Sequence, residues 1–172
     1  SPTFLRNGTI YGLSPRMRFD TVFNDLVGAA LSTGQVTVYS DGKPWRPVIH
    51  VEDVSRAFLT ILAAPVDAIH NEVFNVGSNH LNYQVIDLAQ IVLKTVPGSQ
   101  LQVLAKAGAD QRTYRTDFGK FARTFPQFEF KWNPETGARQ LFEAFREHRL
   151  SYDTFTNRKF TRLKWLRHLL DT

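Results

Sequence analysis

The chain has 172 residues, of which 42% are hydrophobic and 13% aromatic. This composition is sufficient for one compact globular domain and excludes disordered and fibrous proteins. No stretch approaches the roughly 20 consecutive apolar residues of a membrane-spanning helix, so we expect a soluble protein. The chain has 0 cysteines, which excludes disulfides, thiolate metal sites and thiol chemistry and is compatible with a cytoplasmic location.

The charge balance favours an anionic partner but does not choose among nucleic acid, phosphate and a lipid surface. The chain has 21 Lys and Arg residues against 16 Asp and Glu residues. Residues 151–172 hold five of the basic residues, interleaved with apolar ones, and two of the acidic residues. Such a segment suits an anionic surface or nucleic acid as a non-catalytic binding module. We favour the alternative of a final helix that packs its apolar side on the core and turns Lys and Arg outward.

The first elements are a strand and a helix. Residues 3–11 are β-prone, and the pair Ser14 and Pro15 is typical of a helix start. The apolar residues that follow are spaced as on one helical face, and Gly34 is typical of a helix end. The pattern therefore predicts a helix from Pro15 to Thr33.

The next segment predicts a β-hairpin and a helix. Residues 35–50 hold two short β-prone runs around Asp41 and Gly42, a pair that tolerates the positive φ angles of tight hairpin turns. Residues 51–64 predict a short helix that ends before Pro65. Its predicted buried face consists of Val54, Phe58, Ile61 and Leu62.

The rest of the chain alternates strands and helices. A buried strand is predicted over residues 72–78 and a further strand over residues 101–104. Helices are predicted after a capping Asn82, over Phe118–Phe125, over Pro134–Glu147 and over residues 160–170. This alternation predicts an α/β fold. Because only the strands near residues 3–10 and 72–77 are strongly apolar, we expect the parallel sheet to be incomplete.

The usual local motifs of enzyme sites are absent from the sequence. It has no glycine-rich phosphate loop, no GxSxG, no HExxH and no clustered histidines, so neither a metal site nor a catalytic residue is predicted. We expect the histidines to be surface or supporting residues rather than bases or ligands: His50, His70, His80, His148 and His168.

Two arginines stand out as candidate anion ligands. Arg46 precedes an apolar strand and Arg112 lies in a polar segment, and the planar guanidinium binds phosphate through two parallel hydrogen bonds. The alternative, equally compatible with the spacing, is that each arginine pairs with a nearby carboxylate such as Asp53 or Asp110.

Three blocks in chain order carry a family resemblance: LRNGTIYGLSPRMRFDTVFNDLV, VTVYSDGKPWRPVIHVEDVSRAF and NEVFNVGSNHLNYQVIDLAQIV. Together they resemble the C-terminal half of the NAD-dependent epimerase/dehydratase family, the extended short-chain dehydrogenases that act on nucleotide sugars. The similarity covers roughly residues 1–125. The combination of RxxTxYG, SPRxRxD and WRPxxHVxD is far more specific than any one of these motifs.

The resemblance implies an α/β substrate-binding lobe over residues 1–172, with the last strands of an incomplete Rossmann sheet near residues 1–12 and 71–78. It implies an enzyme that uses NAD or NADP on a nucleotide sugar. The family's phosphate loop and the helix that carries its catalytic YxxxK pair precede the first of these blocks, so we expect the N-terminal NAD-binding half to be absent and this chain to be inactive by itself. Tyr39 and Lys43 have the YxxxK spacing, but they lie in the predicted hairpin and not on a helix. A β-strand without its sheet neighbours is also expected to cause self-association.

The resemblance assigns site residues in the first block. Asn7 and Gly8 match positions beside the nicotinamide carboxamide, as cofactor-binding residues. Thr9 stands where relatives often have a sugar-contacting Asn, and its shorter side chain offers a different hydrogen bond. Asn24 and Leu26 match the segment that holds the diphosphate or base, and for Leu26 we favour ordinary core packing.

The resemblance assigns further substrate-binding residues in the second block. Val38 and Tyr39 match positions that flank the nucleobase, although an aromatic residue in a strand more often serves packing. Arg46 matches the arginine that reaches the diphosphate and is the strongest candidate. Arg112 lies near the second phosphate-binding arginine of the family.

The alignment of the remaining basic residues leaves alternatives. Lys106 or Arg115 is able to serve in place of Arg112. Arg16 and Arg18 either line the mouth of the pocket or form the exposed face of a helix start.

Overall fold

The computed structural model describes residues 2–104 and 112–171. Helices and strands alternate along these residues, which confirms the predicted α/β class. The strands are β1 (Phe4–Asn7), β2 (Thr9–Tyr11), β3 (Gln35–Val38), β4 (Trp45–His50), β5 (Val73–Val76), β6 (Asn82–Gln84) and β7 (Gln100–Val103). The helices are α1 (Val22–Thr33), α2 (Val51–Leu62), α3 (Val66–Ile69), α4 (Val85–Thr95), α5 (Gly119–Thr124), α6 (Pro134–Glu147), α7 (Tyr152–Thr156) and α8 (Arg162–Leu170).

The described strands pair into three small sheets. Strands β1 and β5 run parallel, with Phe4 opposite Val73 and Asn7 opposite Val76. Strand β4 lies between β2, to which it is parallel, and β6, to which it is antiparallel. Strands β3 and β7 form a separate parallel pair. The two strongly apolar strands of the sequence, β1 and β5, are therefore partners.

The buried side chains form two clusters on either side of β4. The larger cluster lies among α1, α4 and α6 and includes Phe23, Leu88 and Leu141, all fully buried. The smaller cluster lies beneath α2 and contains Phe74 and Phe121, with aromatic rings in edge or tilted contact. Since β4 contributes Val48 to one cluster and Ile49 to the other, its alternating side chains join the two.

The start of the first predicted helix is wrong. Helix α1 begins at Val22 rather than at Pro15, because polar contacts hold the preceding residues in a loop. The Asn24 amide donates to the carbonyl of Arg18 at 2.9 Å, and the Arg18 guanidinium pairs with Asp20 at 2.8 Å. The predicted end is confirmed, since Gly34 caps the helix with a φ of 73°.

The predicted hairpin is also wrong, although both of its strands exist. Strand β3 pairs with β7 and strand β4 pairs with β2 and β6, so the two runs belong to different sheets. The turn between them packs against the start of α4: the backbone N–H of Ile86 donates to the carbonyl of Gly42 at 3.0 Å. This contact separates the two strands at the point where a hairpin needs them adjacent.

Helix α2 has the expected position and a different buried face. Val54 and Ile61 are buried as predicted, but Phe58 and Leu62 are 46% and 78% exposed. The buried Asp53 sets this orientation, because its carboxylate accepts hydrogen bonds from the backbone of Lys131 at 3.1 Å and Trp132 at 3.0 Å. The helix therefore turns its aspartate side inward.

The remaining predicted helices are present. Helix α4 begins at Val85 with Gln84 as its cap rather than Asn82, since Asn82 belongs to β6 and exchanges hydrogen bonds with the backbone of Thr116. Helix α6 has the predicted bounds, with Asn133 in a reciprocal cap. Helix α8 exists as predicted, but its leucines are exposed rather than packed on the core.

Candidate functional site

A cleft of about 340 Å³ lies between the start of α1, the end of β3 and the start of β4. We call it the α1–β3 cleft. It brings together four residues that the sequence assigned to substrate binding: Leu26, Val38, Tyr39 and Arg46. Its other lining residues are Asp20, Val22, Asp25, Thr37, Ser40 and Val85. Residues from distant parts of the chain thus converge on a cleft whose lining includes one arginine, two aspartates and one aromatic ring.

Arg46 is held in a fixed position in the wall of this cleft. The residue is only 8% exposed. Its guanidinium donates to the carbonyl oxygens of Trp45, at 2.8 Å, and of Arg112, and it lies 5.3 Å from the ring of Tyr114. Because these contacts restrict the side chain, the charge is presented to the cleft with little conformational freedom left to lose on binding.

The carboxylates suggested as partners for the arginines have other roles or lie elsewhere. Asp53 is fully buried and pairs with Arg56 at 2.8 Å, so the predicted alternative of an Arg46–Asp53 pair is wrong. Asp110 lies outside the described residues, as does Lys106.

Tyr39 differs from its two neighbours in the cleft by its exposure. Leu26 and Val38 are buried at 2% and 1% exposed, whereas Tyr39 is 52% exposed. The exposed aromatic ring beside two buried apolar side chains makes a surface onto which a flat ring can stack.

Arg112 meets the cleft through its backbone. Its carbonyl accepts from Arg46, while its side chain is exposed and does not line the α1–β3 cleft. Arg115, the alternative candidate, lies over the indole of Trp45 with 4.7 Å between guanidinium and ring.

A second cleft of about 330 Å³, the β2–α1 cleft, contains the other predicted substrate residues. Thr9 and Asn24 line it together with Arg16 and Arg18, so these two arginines lie in a loop at a cleft rather than on a helix start. Asn24 is buried and has structural contacts: its oxygen accepts from the backbone of Gly12 at 3.0 Å, and its amide donates to Arg18. The structure therefore separates Asn24 from Arg46 by placing them in different clefts.

The predicted cofactor residues lie at the end of β1. The side-chain oxygen of Asn7 is buried and has no hydrogen-bond partner in the described structure. A Cβ atom on Gly8 would lie 3.3 Å from the carbonyl oxygen of Pro47, so the backbone approaches β4 closely here. A buried acceptor with no partner is suited to an N–H donor such as a carboxamide.

Two aspartates of the α1–β3 cleft were missed by sequence reasoning. Burial, assisted by the nearby charge of Asp20, raises the pKa of Asp25 to about 6. Burial acts in the same direction on Asp20, but hydrogen bonds from Arg18 and from the backbone of Arg162 outweigh it and lower the pKa of Asp20. The signal for Asp25 was present, since Val22, Asp25 and Leu26 share one helical face.

His50 is a supporting residue, in agreement with its prediction. The ring is fully buried, stacks on Trp132 at 3.9 Å and caps the start of α2 by accepting from the backbone N–H of Glu52 at 3.2 Å. Its other nitrogen lies 2.8 Å from the Gln140 oxygen, which favours the neutral tautomer with the proton on Nε2. Burial correspondingly lowers the pKa of His50.

The first part of the chain matches a known protein family. Residues 1–77 match the NAD dependent epimerase/dehydratase family. The resemblance predicted from the sequence is thus confirmed, and the matched region contains both clefts except for Val85.

Solved structures of this family's enzymes share the fold. An NAD-dependent NDP-hexosamine 5,6-dehydratase involved in tunicamycin biosynthesis matches with a TM-score of 0.71 and 21% identity, over 85% of this chain and 46% of its own. UDP-glucose 4-epimerase from Thermotoga maritima, solved with UDP-glucose, matches with a TM-score of 0.68 and 25% identity, over 84% and 45%. UDP-glucuronic acid 4-epimerase from Bacillus cereus, in complex with UDP-glucuronic acid and NAD, matches with a TM-score of 0.64 and 23% identity, over 85% of this chain and 45% of its own.

The chain spans slightly less than half the length of these three structures. None of the helices in the described residues is long and apolar enough to cross a membrane.

Proposed function

We propose that this chain is the nucleotide-sugar-binding part of an NAD(P)-dependent epimerase or dehydratase. The observation that carries the proposal is the convergence of Leu26, Val38, Tyr39 and Arg46 on the α1–β3 cleft, within the family match. Those residues come from a helix and two strands of different sheets, and a shared cleft of about 340 Å³ is at the lower end of the size expected for a small-molecule site.

Different residues of the cleft suit the diphosphate and the base. The buried guanidinium of Arg46 supplies a fixed positive charge for the diphosphate. The exposed ring of Tyr39, next to the apolar Leu26 and Val38, supplies a stacking surface for the base. The sugar then extends toward Thr9 and the β2–α1 cleft, where Arg16 and Arg18 lie.

The cofactor site of this chain is limited to the end of β1. Asn7 fits the nicotinamide end of NAD(P), because its buried oxygen lacks a partner and is suited to accept from the carboxamide. NAD(P), when bound, takes up and returns a hydride. The 172 residues contain no glycine-rich phosphate loop, and their one pair with YxxxK spacing, Tyr39 and Lys43, lies between β3 and β4 rather than on a helix. We therefore propose that this chain binds substrate and does not turn it over alone.

The test is how substitutions of Arg46 change the KM of the intact enzyme for its nucleotide sugar. We expect Arg46→Ala to raise KM for the nucleotide sugar well over roughly tenfold, because a charge-assisted contact to the diphosphate is lost. Arg46→Lys, which retains the charge but not the planar donor pair, should raise KM less. Lys43→Ala is the matched control, since Lys43 is an exposed cation three residues away and outside the cleft lining.

Because Arg46 is buried, circular dichroism must show that each variant is folded. An unchanged KM in a folded Arg46→Ala variant would remove Arg46 from the site and contradict the proposal.

A further inference from the structure

Helix α8 presents a row of leucines to solvent. Leu163, Leu166, Leu169 and Leu170 are 58%, 47%, 52% and 85% exposed. At 100° per residue, Leu163, Leu166 and Leu170 lie on one side of the helix and Leu169 at its edge. The half-buried Trp165 lies on the opposite side, which is the side toward the protein. This orientation is the reverse of a final helix that packs its leucines on the core.

The same segment is strongly basic. Its exposed basic residues are Arg158, Lys159, Arg162, Lys164 and Arg167. Asp153 and Asp171, at the two ends of residues 151–171, are its acidic residues. The positive charges therefore flank the leucines and are not neutralised by carboxylates between them.

The start of α8 is anchored to the rest of the protein. The backbone N–H of Arg162 donates to Asp20 at 3.0 Å, and the carbonyl of Phe160 accepts from Phe19 at 3.0 Å. The rings of Phe19 and Phe160 also meet edge to face at 5.4 Å. These contacts fix the start of α8 next to the α1–β3 cleft, while the leucines on its other side are exposed.

We propose that α8 docks the protein onto an anionic lipid bilayer. The leucines insert among the lipid chains at the interface while the flanking Lys and Arg residues contact anionic headgroups, as in other amphipathic helices that lie in the membrane plane. A helix of nine residues is about 13 Å long, so it lies on the bilayer and does not cross it.

The charge pattern argues against the other occupants of this surface. A second copy docked through the same side brings two sets of five basic residues together, and like charges at an interface are unfavourable. The phosphates of a nucleic acid would pair with the basic residues, but the four exposed leucines would remain in water. An anionic bilayer would bury the leucines and pair with the basic residues at the same time.

The experiment is flotation of the intact protein with two kinds of vesicle. One kind consists of neutral phosphatidylcholine, and the other contains about 30 mol% anionic phosphatidylglycerol in phosphatidylcholine. We expect binding to the anionic vesicles only, weakened by high salt. The charge variant Lys159→Gln/Lys164→Gln/Arg167→Gln should weaken binding by about fivefold per residue removed. The leucine variant Leu163→Gln/Leu166→Gln/Leu170→Gln should abolish it.

Matched controls come from exposed residues elsewhere in the chain. Leu59→Gln/Leu62→Gln on α2 removes exposed leucines, and Lys94→Gln/Arg139→Gln removes exposed charges, and both should leave vesicle binding unchanged. All the substituted residues are exposed, so the variants are expected to fold.

Several outcomes would overturn the proposal. These are absence of binding to anionic vesicles, equal binding to neutral vesicles, or a leucine variant that binds as tightly as the wild type. A leucine variant that changes the oligomeric state in sedimentation, without changing vesicle binding, would assign the surface to a second copy instead. Binding to RNA without binding to vesicles would assign it to nucleic acid.

Discussion

Asp25 is the residue of the α1–β3 cleft whose charge is most dependent on its surroundings. Its pKa of about 6 in the folded protein exceeds the usual 3.8, so the unfolded chain loses this proton at lower pH than the folded one. The folded state is therefore favoured by protonation below about pH 4, and that advantage is lost as the pH rises through about 6. The raised pKa corresponds to a loss of at most about 3 kcal/mol in the free energy of unfolding between low and high pH.

We expect Asp25→Asn to stabilise the protein clearly more at pH 7.5 than at pH 4.5, because at pH 4.5 the folded protein still holds the proton that the unfolded chain has mostly lost. The measurement is the free energy of unfolding by urea at both pH values. Asp67→Asn, at an exposed position in α3, is the control and should show no such difference. A stabilisation by Asp25→Asn that is equal at both pH values would argue against a carboxyl with a raised pKa.

At the scale of single residues, the sequence indicates which side chains are suited to bind a ligand, but it does not indicate which tertiary contacts those side chains make. Arg46, Tyr39 and Val38 were singled out by residue type and resemblance, and they share one cleft. The contacts of Asn24 with Gly12 and Arg18 were not predictable, because they depend on how the loop before α1 folds back. Asp25 was missed because its burial depends on the elements packed over α1.

At the scale of elements, α6 docks against β2 through a glycine. A Cβ atom on Gly137 would lie 2.3 Å from the ring of Tyr11, which is fully buried and has no room to move. Alanine at a helix position stabilises the folded state by about 1 kcal/mol relative to glycine. The clash of the added Cβ atom with the Tyr11 ring is expected to destabilise it by more than that. We expect Gly137→Ala to lower the free energy of unfolding by about 1–2 kcal/mol.

The matched variant is Gly28→Ala in α1. Its Cβ atom would meet the ring of Phe155 at 2.7 Å, but Phe155 is half-buried on the short helix α7 and is able to shift. Chemical denaturation should therefore show a smaller loss for Gly28→Ala than for Gly137→Ala. The reverse order would mean that α6 is not held by the Tyr11 contact.

Elements were predictable from sequence where local signals decide them. The bounds of α6 follow from Asn133, Pro134 and the apolar spacing, and the end of α1 follows from Gly34. The hairpin failed because the pairing of β3 with β7 and of β4 with β2 is long-range, and an Asp-Gly pair reports only the local turn.

At the scale of the whole molecule, the chain spans slightly less than half the length of its structural relatives. We expect the isolated 172-residue chain to self-associate, because Phe4 on β1 and Leu59 and Leu62 on α2 are more than half exposed. Light scattering over a range of concentrations should show a mass above that of the monomer, and Leu59→Gln/Leu62→Gln should reduce it. A clean monomer at high concentration would contradict this expectation.

The most direct test of nucleotide binding in the α1–β3 cleft is hydrogen exchange of the intact enzyme with and without saturating UDP, dTDP or GDP. At least one of these nucleotides should slow exchange at residues 20–26 and 37–40, which contribute to the cleft, while the end of α8 (residues 166–170) remains unchanged. A nucleotide that binds without protecting those residues, or the failure of all three to bind, would contradict the assignment of this cleft.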